Sequence, residues 1–330
     1  MTSPPALSVV VPCYNEEGNL EELYRRISTV CREVAGDDWE LILVDDGSRD
    51  TTWPKIRELA SQAHNLAGIR LSRNFGQQKA LVAGLHFSRG DRVLVLDADL
   101  QDPPELLPSM MREMDQGADV VYGQSTARHG ETFFKKMSAA LFFKMLNRIS
   151  DTGLTMEAGP VVLLSNQVVQ SLRSMPEQHR FLRGMIGWVG FRQTPLEYER
   201  GQRHLGQTKY DYKKLWNLAV DAITSFSISP LRLGFVLGFI VGGAALLGLI
   251  LALFGRIFGN GVPGFFWVLV AVLILGSVQL FVLGIMGEYL GRLYIESKQR
   301  PLYLVQEVVG REESRPATAV KGPPAENDAG

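Results

Sequence analysis

Residues 93–96 are an uninterrupted run of valine and leucine that leads straight into Asp97 and Asp99, with Asp102, Pro103 and Pro104 close behind. Such a run suits a strand buried on both faces, and the two prolines forbid the strand from continuing. The chain must therefore fold around a buried strand whose carboxyl end is acidic. Alternation along a strand puts Asp97 and Asp99 on one side and turns Ala98 away. Two carboxylates placed there repel each other and are costly to desolvate unless a cation lies between them. Oxygen-only ligands suit Mg2+ or Mn2+, ions that commonly arrive with a phosphorylated substrate. Taken alone, the triplet reads equally well as a strand-end turn of solvated aspartates.

The pattern repeats upstream. Residues 7–11 form an apolar run ending at Pro12, and residues 39–44 form another ending at Asp45-Asp46-Gly47-Ser48. Between them, residues 19–34 have helical spacing, with Leu20, Leu23, Ile27 and Val30 on one face. Residues 52–63 and 78–88 read as helices and residues 67–71 as a strand. This β-α-β-α-β-α-β order predicts a mostly parallel sheet with helices on both faces. Ligands in such sheets bind beyond the carboxyl ends of the strands, where each acidic cluster falls. The Asp45 to Ser48 segment by itself is also an ordinary turn with a helix cap. Further on, residues 119–122 read as a short strand. Residues 133–148 read as a basic, aromatic-rich helix suited to a core or to a membrane face.

At 330 residues, 46% hydrophobic and net charge −1, the chain has room for one large domain and an appendage. The near-neutral charge argues against a nucleic-acid partner. Cys13 and Cys31 have no metal-ligand spacing, and the five histidines form no cluster, so zinc is not expected. The amino terminus lacks the basic and apolar regions of a secretory signal, which predicts a cytosolic location for the first domain.

Residues 231–254, charged only at Arg232, and the uncharged residues 264–287 each exceed the roughly 20 needed to span a bilayer. Glycines at 234, 238, 242 and 243 offer small surfaces for helix contact, compatible with a homo-oligomer. Lys213, Lys214 and Arg232 precede the pair, Arg292, Lys298 and Arg300 follow it, and the connecting loop carries only Arg256. The positive-inside rule then puts both ends in the cytosol. The expected organisation is a catalytic domain over 1–212, an interfacial amphipathic helix over 213–230 and a two-helix transmembrane region over 231–290. A cytosolic juxtamembrane segment over 291–310 and a disordered tail over 311–330 complete it.

Four motifs occur in order: Pro12-Cys13-Tyr14-Asn15-Glu16-Glu17, Val44-Asp45-Asp46-Gly47-Ser48-Arg49-Asp50, Arg73-Asn74-Phe75-Gly76, and Asp97-Ala98-Asp99-Leu100-Gln101-Asp102-Pro103-Pro104-Glu105. Together they resemble family 2 glycosyltransferases. More narrowly, they resemble the polyprenyl-phosphate hexose synthases, the group of dolichyl-phosphate mannose synthase and the bacterial undecaprenyl-phosphate glycosyltransferases. The resemblance covers roughly residues 6–305.

It implies a GT-A (Rossmann-like) α/β domain with a mostly parallel sheet, followed by two transmembrane helices in the inner membrane. It also implies an inverting, metal-dependent transfer from a UDP- or GDP-sugar to a polyprenyl phosphate. By the same resemblance Asp97, Asp99 and Gln101 hold Mg2+ or Mn2+, Pro12, Tyr14 and Glu16 line the nucleotide pocket, and Asp45 and Asp46 lie where an aspartate grips the base. Glu157 matches the first acid of the family's D-x-G-D-F-R segment. Arg203 and Lys209 belong to a segment like the family's R-x-x-G-x-S-K-Y, where an arginine forks onto phosphate oxygens and a lysine acts as a point charge. Asp99, Gln101, Glu157, Arg203 and Lys209 are thus the expected catalytic set.

The chain departs from the family where Pro160 and Val162 replace an aspartate and an arginine, and where Ser125 stands in place of an arginine. These departures imply a changed sugar specificity, or else a non-catalytic nucleotide-binding membrane scaffold. A processive polysaccharide synthase would carry Q-x-x-R-W, which Gln178-His179-Arg180-Phe181 does not match.

Overall fold

A computed structural model describes residues 4–125, 159, 161–178, 180–198, 229–257 and 264–310. Glu157, Arg203 and Lys209 lie outside these described residues, as do Pro160, the 133–148 and 213–228 segments and the 311–330 tail. The chain divides into two compact units. One holds residues 1–143, 153–210 and 300–330, and the other residues 144–152 and 211–299.

The first unit is built on an eight-stranded sheet. Its elements are β1 (Leu7–Cys13), α1 (Leu20–Ala35), β2 (Trp39–Asp45), α2 (Thr52–Gln62), β3 (Leu66–Leu71), α3 (Gln77–Phe87) and β4 (Arg92–Val95). After a 3-10 turn at Pro104–Leu106 come α4 (Leu107–Asp115), β5 (Val120–Ser125), β6 (Val162–Ser165), α5 (Asn166–Ser174), α6 (Leu182–Trp188), β7 (Gln193–Tyr198) and β8 (Val305–Val309). The sheet order is β7-β5-β6-β4-β1-β2-β3-β8.

All seven residues of β1 and of β2 are buried, which explains why these strands read as continuous apolar runs with no alternation. Helix α1 covers one face through Leu20, Leu23, Ile27 and Val30, the stripe its spacing predicts. Helix α3 lies close on β1 because a Cβ at Gly84 would meet Val10 Cγ1 at 2.2 Å.

The sheet is mostly parallel, as expected, with β1, β2, β3, β4, β5 and β7 running in one direction, while β6 is antiparallel to β4 and β5, and β8 is antiparallel to β3. One expectation is corrected. Strand β4 stops at Val95. Leu96 N–H still donates to Val10 O at 3.2 Å, but Leu100 takes a left-handed φ of 57°. Asp97 and Asp99 therefore sit in a turn beyond the strand. The in-and-out pattern survives nonetheless, with Ala98 buried and both aspartates half-buried.

Strand β8 arises from within the segment read as juxtamembrane. Ser72 N–H donates to Leu304 O at 2.9 Å, and Tyr303 Oη lies 2.9 Å from His86 Nδ1. Trp53 Nε1 donates to Glu307 Oε2 at 3.1 Å, and Arg57 Nη2 donates to Glu307 Oε1 at 2.5 Å. These contacts fix the strand at the edge of the sheet.

The second unit contains two long helices, α7 (Ser229–Ile257) and α8 (Gly264–Ser297), of 29 and 34 residues. They meet at Gly234, where an added Cβ would stand 3.2 Å from Val282 Cγ2. Among the described residues one helical stretch, Val270–Ser297, is long and apolar enough to cross a membrane. Its large apolar side chains are exposed around the helix, Leu273 and Leu280 among them.

Candidate active site

Strand β1 lies between β4 and β2, so the acidic ends of β4 and β2 flank the end of β1 on one edge of the sheet. At the end of β2, Asp45 is fully buried. Its Oδ1 accepts from Ser48 N–H at 3.0 Å, while its buried Oδ2 has no hydrogen-bond partner and lies 3.6 Å from Arg70 Nε. Burial pushes the Asp45 carboxyl up, against the pull of Ser48 and Arg70. That Oδ2 oxygen is closed off from solvent and faces Arg70.

The neighbouring Asp46 is 2% exposed and committed within the protein. Its Oδ1 accepts from Phe75 N–H at 2.7 Å and its Oδ2 from Gly76 N–H at 2.9 Å. Gly76 takes a positive φ of 97°, a conformation glycine adopts without steric cost. Gly47, at φ 68°, passes so near this loop that a Cβ would stand 2.5 Å from the Arg73 carbonyl carbon. The second and third motifs therefore interlock through backbone contacts.

The first motif joins them. Asn15 N–H donates to Ser48 Oγ at 3.0 Å, Arg49 N–H to Asn15 Oδ1 at 2.9 Å, and Glu16 N–H to Thr52 Oγ1 at 2.9 Å. Pro12 is buried at the end of β1, whereas the Tyr14 ring is 40% exposed at the rim. The Glu16 carboxylate accepts from Asn19 Nδ2 at 2.6 Å.

In the turn after β4, Gln77 Nε2 donates to Asp97 Oδ1 at 2.6 Å. Asp99 Oδ1 accepts from Gln101 N–H at 3.2 Å, which closes the turn. Asp102 is buried and accepts from the Tyr198 hydroxyl on β7. Burial, and next the neighbouring Asp99, push the Asp97 carboxyl up to about 6, while Arg183 on α6 and Gln77 pull it back. Sequence reasoning missed Gln77, Arg183 and Tyr198. They are distant in the chain, and only Gln77 adjoins a motif.

No three His, Cys, Asp or Glu side chains converge as a metal-binding group among the described residues. The donor set at Asp97 and Asp99 is two carboxylates whose mutual repulsion a cation would relieve. It fits a hard ion such as Mg2+ or Mn2+ that takes its remaining ligands from water and substrate phosphate.

The parallel strands put both acidic clusters at their carboxyl ends, where ligands bind in sheets of this kind. The chain belongs to glycosyl transferase family 2, whose model matches residues 8–173. It is 42% identical over 310 residues to an uncharacterized glycosyltransferase of Synechocystis, covering 93% of this chain and 96% of that one. It is 38% identical to the prophage bactoprenol glucosyl transferase homolog of Escherichia coli K12, covering 92% of this chain and 99% of the relative. The bactoprenol glucosyl transferase of Shigella phage SfV is also 38% identical, with 91% and 98% covered. The resemblance carried by the four motifs therefore holds across nearly the whole chain.

Proposed function

We propose that this chain is a membrane-anchored, inverting glycosyltransferase that moves a monosaccharide from a UDP- or GDP-sugar to a polyprenyl phosphate. The observation that carries the proposal is the similarity to bactoprenol glucosyl transferases over more than 300 residues, a length that must take in α7 and α8. The apolar stretch of α8 supports a membrane anchor, with α7 as the second crossing. In this reading the catalytic domain lies on the cytosolic face of the inner membrane.

The site's chemistry follows from charge. Mg2+ or Mn2+ held by Asp97, Asp99 and Gln101 would offset the negative charge that develops on the departing nucleoside diphosphate. Asp45, at the buried end of β2, is assigned to the base, and Pro12, Tyr14 and Glu16 to the border of the nucleotide. A polyprenyl phosphate is already anionic at neutral pH, so attack needs no strong general base. Arg203 and Lys209 are proposed to hold the phosphates together, with Glu157 near the transferred sugar. Val162 is 4% exposed and pairs with Val95 and Tyr122, so this departure from the family pattern packs into the sheet. We attribute a changed sugar preference to Ser125, Pro160 and Val162, and keep the diphosphate chemistry.

The test is purified protein with Mg2+ or Mn2+, labelled nucleotide sugars and undecaprenyl phosphate, followed by lipid extraction. One labelled lipid-linked monosaccharide is expected. Long polymer would point to a processive synthase. Nucleotide binding with no lipid product across a broad donor panel would replace the proposal with a scaffold.

A further inference from the structure

The buried Asp46 carboxylate spends both oxygens on the N–H groups of Phe75 and Gly76. Those two residues immediately precede Gln77, the first residue of α3. Gln77 in turn donates to Asp97 Oδ1 at 2.6 Å. The next residue, Gln78, accepts from Leu182 N–H on α6 at 3.0 Å, so the first turn of α3 is held from a second side. A path of direct hydrogen bonds and two peptide units thus links the end of β2 to the carboxylate beyond β4. We propose that Gln77 is a positioning residue which fixes Asp97 in the orientation that binds the divalent cation, and that Asp46 serves this purpose by fixing the loop from which Gln77 projects.

The physical argument rests on the shape of a carboxylate. Asp97 lies past the end of β4, in a turn that no ladder bond steadies. Its side chain would otherwise turn freely against the like charge of Asp99. A carboxylate can accept several hydrogen bonds, so Gln77 on Oδ1 leaves acceptor capacity on Asp97 for a cation. The amide donates from an already ordered helix start, so little further ordering is needed when the cation binds. Hydrogen-bond partners of a ligating carboxylate commonly contribute about 10–100-fold to metal affinity. Asp46 is then occupied within the protein.

This inference rests on the metal site proposed above, and the experiment separates the two. Mn2+ binding to the full-length protein in detergent is followed by electron paramagnetic resonance in the presence of UDP or GDP, alongside thermal unfolding. Wild type, Asp97→Ala and Gln77→Met are compared; methionine keeps the length of the side chain and removes the donor. Gln77→Met is expected to bind Mn2+ about 10–100-fold more weakly with an unchanged Tm. In turnover its KM for metal should rise while kcat at saturating metal stays within about threefold. If Gln77→Met lowers Tm, Gln77→Asn, one methylene short of Asp97, takes its place in the comparison. Wild-type affinity in the Gln77 variants together with loss of binding in Asp97→Ala would overturn the positioning role and leave the metal site standing. Absence of Mn2+ binding by the wild type would overturn the metal site itself, and the positioning role with it.

Discussion

The indole N–H of Trp53 donates to Glu307 Oε2 at 3.1 Å, joining α2 to β8 across 254 positions of sequence. Trp53 is 3% exposed, so removing its acceptor leaves a buried donor unsatisfied. Glu307→Ala is expected to destabilise the catalytic unit by about 1–3 kcal/mol. The Arg57 partner is 57% exposed, and exposed pairs contribute about 0–1 kcal/mol. Arg57→Ala should therefore cost clearly less than Glu307→Ala in thermal unfolding. Equal losses would show that the indole is not the dominant contact.

Asp99→Ala and Asp97→Ala should each reduce sugar transfer at least about 100-fold, the scale for removing a group that stabilises developing charge. Both residues lie beyond the end of β4 and are half-buried, so the Tm should hold. Initial rates with lipid extraction measure the first effect and calorimetry the second. Full activity in either variant would remove that residue from the site.

Two buried groups give opposing pH dependences. Burial, with Arg180 and Arg173 nearby, pushes His86 down to about 4 from an ordinary 6.5. The unfolded chain then binds the extra proton first, so stability from His86 is complete above 6.5 and is lost as pH falls towards 4. Asp97 is pushed up to about 6 from 3.8, so the folded state holds its proton longer and stability falls as pH rises across that window. The two slopes offset each other between about 4 and 6. In urea titrations of the metal-free protein, Asp97→Asn should expose a rising slope with pH and His86→Gln a falling one, each of at most about 1.4 kcal/mol per pH unit. Parallel pH profiles for both variants and wild type would contradict this.

Gly47→Ala should loosen the interlocked turns. The residue sits at φ 68°, and its Cβ would stand 2.5 Å from the Arg73 carbonyl carbon. Strain at such a position is of order 1–3 kcal/mol, before any clash. Weaker nucleoside diphosphate binding with a lowered Tm is expected by calorimetry. An alanine variant matching wild type in both would place no demand on this glycine.

What the sequence made legible was local. The runs at residues 7–11 and 39–44 read as buried strands because both faces are covered, and Asp97 and Asp99 stood out because carboxylates rarely close an apolar run. Partnerships made across the fold were hidden. Nothing near Val305–Val309 says that Gly68–Leu71 waits for it, since an antiparallel edge pairing depends on residues more than 200 positions away. Asp45 and Asp46 look equivalent in sequence, yet the chain turns between them. One faces Arg70 with its Oδ2, and the other binds the loop at Phe75 and Gly76. The side on which an aspartate finds its donors is decided by that turn, which residue type alone does not encode.

Strand β8 also sets a rule of parity. The sheet is left after β7 and rejoined at β8, after α7 and α8 have been traversed. A thread that takes its place in the same hydrogen-bonded ladder must finish on the side where it began. One crossing alone would strand Val309 across a bilayer from Gly68, its partner in register. If α8 crosses, the number of crossings between β7 and β8 must be even, and α7 is the other long helix described there.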